Sequence, residues 1–394
     1  MTAEPFQSSK LNLVERIGLG VLRGRIERTE SDVHRWSDEE LARIRLIERW
    51  TIGFAALGGA VSGAIIGSLE IALSGWLLAE VEGGEWRQQI PYWSSYLATA
   101  ALVSGAEVVF LYWIALRCVA RITSIAGLSL SVEEIEQMMA VGLSRAALDL
   151  PNPRSPVYGV DPHARAVRWK LLLYTLFYKL KVGITSFIFR ILLRRILARA
   201  ALRSAIPLVA IPVYAMWNGM ISLWVLREVR IRAAAPLAMK ELGEWVRERR
   251  EVAGEEARRL ILEAVGESVI RAQDAHPNLV LLLTSLFHDL ELPRESIDVD
   301  WDRARRRLAD LESGEQDLLL TVLAVATVLN GRPRKAQRRL LLEASETCGR
   351  SLDDEALAGL RSGFIDGQGL SREHLESLAS QPLSSREAAA VGDG

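Results

Sequence analysis

Two stretches of this chain carry almost no charge, and their length constrains the fold more than any other property. Residues 51–69 are nineteen positions without one Asp, Glu, Lys or Arg. As a helix they extend about 28 Å, close to the thickness of bilayer hydrocarbon. The run continues to Ala79, interrupted only by Glu70, and residues 92–116 form a second such run interrupted only by Glu107. Trp50, Trp76, Tyr92, Trp93, Tyr112 and Trp113 cluster toward the ends, where interfacial aromatics belong. The connecting loop holds Glu80, Glu82 and Glu85 against Arg87, whereas the outer flanks hold Arg43, Arg45 and Arg49 on one side and Arg117 and Arg121 on the other. The positive-inside rule then predicts a transmembrane hairpin with an outer acidic loop and both ends cytoplasmic.

Within the first run Ala55, Gly59, Gly63 and Gly67 recur every fourth residue. Small residues in one line let another helix approach closely, so they predict a packing seam to the second run or to another copy of the chain. Glu70 and Glu107 are expensive in hydrocarbon. They read either as neutral, hydrogen-bonded carboxyls fixing helix packing or as part of an ion or proton path with a shared partner.

The third constraint is a stretch from 162 to 227 with no Asp or Glu. Ten basic residues fall between Arg165 and Arg203, followed by an uncharged run over 205–226. Phe189, Leu193, Ile196, Leu197 and Ala200 share one helical stripe. Lys179, Lys181, Arg190, Arg194, Arg195, Arg199 and Arg203 are the candidate contacts to anionic lipid at the cytoplasmic face. Pro207, Pro212 and Asn218-Gly219 predict that 205–226 is broken. Two topologies fit: a re-entrant or interfacial segment with two crossings in all, which is the reading adopted, or four crossings if 171–189 also spans. A nucleic-acid partner is not expected, because net charge is −1 and the basic stretch abuts apolar runs.

The remainder reads as ordinary helical protein. Ser37-Asp-Glu-Glu40 and Ser131-Val-Glu-Glu134 are capping boxes that open helices. Pro151, Pro153, Pro156 and Pro162 predict a linker. Residues 241–271 read as one long charged helix. The apolar runs 278–290 and 318–329 are too short to span and suit a core; Ser313-Gly-Glu-Gln316 caps the second, and Asn330-Gly331 with Pro333 ends it. The expected organisation is a leader at 1–50, the hairpin at 51–121, a helix and linker at 122–165, basic amphipathic or embedded helices at 166–232, a cytoplasmic bundle at 233–380 and a tail at 381–394. The fold class is all-α.

Two resemblances add to this. Ile206-Pro207, Ile211-Pro212 and Trp217-Asn218, with basic helices upstream, resemble the C-terminal part of EcsC-family proteins over about 165–230. That resemblance implies association with a bacterial membrane, hence the inner membrane, and no chemistry. The apolar run 318–329, Asn330-Gly331, Leu340, Gly349 and the run 352–364 resemble the TerB-like helical module over about 315–375. That resemblance implies protein interaction. Where the family carries acids around the glycine, this chain has Asn330 and the basic run 332–335, which argues against ion binding there.

No zinc spacing, HExxH, GxSxG, phosphate loop or C-x-x-C is present. His288-Asp289 has no recognisable co-ligands, and Cys118 and Cys348 are far apart. The sequence therefore predicts no catalytic residue, metal or cofactor. It predicts a membrane-anchored scaffold or adaptor that binds a protein partner or itself through its helices, with a transport component using Glu70 and Glu107 as the alternative.

Overall fold

The computed structural model describes residues 33–73, 90–128, 134–148, 156–165 and 206–379, with single residues at 16, 18, 20, 22, 150, 152 and 169. The acidic loop, the Ser131 capping residue, the stripe at 189–200 and all of Lys179, Lys181, Arg190, Arg194, Arg195, Arg199 and Arg203 lie outside the described residues. Every regular element among the described residues is helical.

Helix α1 (Asp38–Leu73) is 36 residues long. It opens as its sequence dictates: the Ser37 amide donates to Glu40 (2.8 Å), and the Glu40 amide donates back to Ser37 Oγ (3.2 Å). Asp38, Glu39 and Glu40 fill the first turn, where the helix dipole favours negative charge. Helix α2 (Ile90–Ile125) is equally long. Helix α3 (Glu134–Ala147) follows.

Helix α4 (Ile206–Arg249) is the longest element at 44 residues, about 66 Å. This corrects the expectation of a broken segment at 205–226, for Pro212 and Asn218-Gly219 lie inside an unbroken helix. Pro207 falls in the first turn, where no intrahelical N–H is required. The other interruptions are local preferences that packing against α1 overrides.

The rest folds around the second half of α4. Helices α5 (Glu255–Ala272), α6 (Pro277–Asp289), α7 (Trp301–Leu308), α8 (Ser313–Val328), α9 (Lys335–Thr347), α10 (Asp354–Ile365) and α11 (Arg372–Ala379) form the bundle. Every residue of α8 from Leu318 to Val328 is buried, as befits a helix apolar on all faces. The long charged helix expected over 241–271 is divided. A 3₁₀ turn (Arg250–Val252) and extended Ala253 separate α4 from α5, whose N-cap is Gly254. The cap of α8 is Glu312 rather than Ser313: its amide donates to Glu315 (3.0 Å).

The expected boundary at 232/233 is also corrected. One hydrophobic core runs from Leu22 through Leu41 and Ile44 of α1, Val119 and Ile122 of α2 and Leu143 of α3 to Phe364 and Leu375. The membrane-reading helices and the bundle share α4 and that core. The proline-rich linker is likewise not a linker throughout. Val157 and Val160 pair across a tight turn in which Tyr158 (φ 50) and Gly159 (φ 81) are left-handed. A side chain at Gly159 would meet Ser296 Oγ at 2.0 Å. Tyr158 is buried, bonds Thr284 through its hydroxyl (3.1 Å) and packs on Phe287.

Candidate functional site

Helix α4 lies antiparallel along α1 and the residues just before it in steady register. Tyr214 and Asn218 face Gly59, Gly219 faces Ala56 and Ile52, Arg230 reaches Glu48 at 3.6 Å, and Glu241 bonds Arg35 at 2.7 Å. This register makes Trp50 and Trp224 level. On the other side Phe110 of α2 packs on Gly58, so Arg117 falls near the level of Trp50 and Trp113 stands just above it.

Three exposed tryptophans from three helices thus form a belt: Trp50 (63% exposed), Trp113 (45%) and Trp224 (54%). Exposed Arg49, Arg117, Arg121 and Arg227 accompany it on the bundle side. The Arg117 guanidinium sits 5.3 Å over the Trp113 ring. Beyond the belt the surface is apolar and open, with Leu57 and Val61 on α1, Leu102 and Val109 on α2 and Met216 on α4.

Two helices are long and apolar enough to cross a membrane, over Asp38–Leu69 and Ser94–Ile125, with mean hydropathy 1.8 and 1.7. Only 33% and 17% of those windows are buried, whereas the core helix of a water-soluble protein is mostly covered. A contiguous apolar surface of this kind marks an interaction site or a membrane surface.

Ala55, Gly59, Gly63 and Gly67 are all buried. Gly59 faces α4 rather than α2: a Cβ there would lie 2.4 Å from the Tyr214 carbonyl oxygen and 2.8 Å from the Asn218 amide nitrogen. Only glycine admits that approach. At the same point Asn218 Nδ2 donates to Glu107 Oε1 at 2.6 Å, with both side chains buried. A glycine, a neutral amide and a carboxyl from three helices therefore meet in the middle of the apolar unit.

Glu70 lies on α1 eleven residues beyond Gly59, about 16 Å along the helix, and its side chain lies outside the described residues. Asn218 is one partner of Glu107, and the expectation that the two glutamates share a partner falls on the Glu70 side chain, outside the described residues. Asn218, expected to help break the segment, lies inside the continuous helix. An amide isolated in an apolar run was the available signal that it anchors helices instead.

Below the belt buried ionic networks appear alongside neutral polar groups. Arg232, 6% exposed, donates to Glu228 (2.9 Å), to Asn152 (3.0 Å) and to the Gly142 carbonyl, tying α4 to α3 and to the segment before the turn at Tyr158. His276 Nδ1 accepts from the Asn278 amide (3.2 Å), so Nε2 carries the proton toward Glu228 (2.7 Å). Burial pushes the Glu228 carboxyl up, but His276 and Arg232 outweigh it and hold the group well below the usual carboxylate range. A second network centres on fully buried Glu267, which accepts from Arg165 (2.6 Å) and Arg271 (2.8 Å); Arg271 also grips Glu343 with two donors.

No group of three or more His, Cys, Asp or Glu among the described residues could hold a metal. Asp289, next to His288, is paired with Arg247 at 2.5 Å, and a cavity of about 440 Å³ beside them is lined by Arg247, Arg250, Phe287 and Glu291. Cys118 and Cys348 are both free thiols. Compared with protein-family models, curated proteins and solved structures, the chain matches none.

Proposed function

We propose that this chain is a non-catalytic anchor of the bacterial inner membrane. It holds a cytoplasmic helical bundle at the bilayer surface and presents it to a protein partner. The observation that carries the reading is α4, one helix that begins in the apolar three-helix unit and ends in the bundle core. A continuous helix fixes the bundle's distance and orientation from the lipid, which is what a scaffold requires. The arginines beside the tryptophan belt argue for a cytoplasmic bundle by the positive-inside rule.

The ends of the chain segment 166–205 bear on topology. Arg165 is bonded to Glu267 in the bundle. Ile206 lies eight residues beyond Tyr214 on α4, about 12 Å, and so is level with Gly67 on α1. One end is therefore at the bundle and the other near the far end of the apolar unit, which favours four crossings over two. An Arg199→Cys variant in sealed vesicles separates them: labelling from the side opposite the bundle supports four crossings, and labelling from the bundle side supports two.

The transport alternative would use Glu70 and Glu107; Glu107 accepts from Asn218 between the helices, as a packing carboxyl does. Full-length chain in proteoliposomes tests the two readings. The anchor reading expects no ion or proton flux and crosslinks from the bundle to a protein in native membranes. Flux that disappears in Glu107→Gln while assembly persists would establish transport instead.

A further inference from the structure

The bundle has a basic tip that faces the belt. Helix α8 begins at the far end of α4, where Gly314 abuts Val252, and ends where Gly331 packs on Ile231. Helix α9 then returns, and Arg350 beyond its end bonds Ser313 at the start of α8 (2.6 Å). The connection at 329–335 is therefore the membrane-proximal end of this helical hairpin. Asn278 fixes its height by donating to both the Ile231 carbonyl (3.1 Å) and the Leu329 carbonyl (2.8 Å). Ile231 is seven residues below Trp224 on α4, about 10 Å. An arginine or lysine side chain covers most of that distance, and the rest lies within the Debye length at physiological salt.

The tip reads Asn330-Gly-Arg-Pro-Arg-Lys335 and contains no acid. Arg334 is committed to Asp274 (3.0 Å) and the Ala272 carbonyl. Arg332 and Lys335 are exposed and have no ion pair among the described residues. Lysine and arginine in such a place have two chemical uses, an anionic surface or an acidic protein. The height of the tip, level with the bundle-side edge of the tryptophan and arginine belt, favours the surface. We infer that Arg332 and Lys335 bind the headgroups of anionic phospholipids and seat the bundle against the bilayer as a second contact, separate from the apolar helices.

This inference rests on the anchor reading, and its test keeps the two apart. Full-length chain carrying Ala336→Cys, in a background with Cys118 and Cys348 replaced by Ser, is labelled with a fluorophore and reconstituted in vesicles bearing a headgroup quencher. Flotation of the chain with the vesicles reports anchoring; quenching reports the tip. Quenching should be strong in vesicles with about a third anionic lipid, and weak in zwitterionic vesicles and at high salt. Each basic residue at an anionic surface is worth roughly fivefold, so Arg332→Glu with Lys335→Glu should shift the docked population by roughly 30-fold or more while flotation is unchanged. Equal quenching in anionic vesicles, zwitterionic vesicles and the charge-reversed variant would overturn the inference and leave the anchor intact. A chain that fails to float would overturn both. A tip quenched in neither lipid but crosslinked to an acidic protein would assign Arg332 and Lys335 to that partner instead.

Discussion

The two halves of α4 bury polar side chains by opposite means. In the first half Asn218 meets Glu107, a neutral amide against a carboxyl, at a seam of glycine and apolar residues. In the second half Glu228 meets both Arg232 and His276, with charge set against charge, and Arg232 reaches on to Asn152. A single helix thus carries two kinds of buried polar contact. Where the surface beyond is apolar, the buried carboxyl is met by a neutral amide. Where the surface beyond is polar, guanidinium groups stitch elements together, and Glu267 with Arg165 and Arg271 repeats that solution.

Breaking the ionic half should have the largest effect. Arg232→Ala leaves Glu228, Asn152 and the Gly142 carbonyl without their shared donor, and removing one member of a buried pair costs about 3–5 kcal/mol. Chemical denaturation in detergent, followed by loss of helix signal from the bundle, should register it. The same knot sets an acid limit. Because the folded-state value of Glu228 is lowered, its contribution is present above the ordinary carboxylate range and lost as pH falls through and below that range. Glu228→Gln should flatten the acid side of the stability profile between about pH 5 and lower values; an unchanged slope would assign the acid sensitivity to other groups.

The neutral half should respond less and through packing. Gly59→Leu forces a side chain into the Tyr214 carbonyl and should cost about 1–3 kcal/mol by overpacking, separating α1 from α4. Disulfide crosslinking of cysteines at Ile52 and Gly219, which face each other, should fall in that variant. Replacing the amide by Asn218→Leu removes one interhelical hydrogen bond and should cost about 1 kcal/mol. Glu107→Gln keeps a partner for Asn218 and should be nearly neutral in thermal stability. If Glu107→Gln proved as damaging as Arg232→Ala, the contrast between the halves would fail.

Much of the architecture is legible in the sequence. The apolar runs, the Ser37 capping box, the buried helix over 318–328 and its stop at Gly331 all follow from composition and local spacing. What was not legible depends on distant partners. Asn218 and Glu107 are 111 residues apart, so nothing local tells an anchor from a breaker. The register of α4 on α1 is set by Gly59, and it overrides the breaking tendency of Pro212. The prolines around Val157 punctuate the chain as a linker would, and only Thr284, Phe287 and Ser296 reveal that the turn between them is packed into the core. The break at 250–254 lies in a charged stretch with no apolar period to mark it. Trp224 was readable as aromatic, but its place in the belt needed the helix to be continuous.

The proposed anchor requires lipid around the apolar half of α4 and its two neighbours and water around the bundle. Extraction of full-length chain from native membranes at alkaline pH and high salt tests it most directly. A chain anchored in this way stays in the pellet until detergent is added, and then elutes as a detergent-bound particle. A chain that leaves with the aqueous wash and stays monodisperse in plain buffer would contradict it.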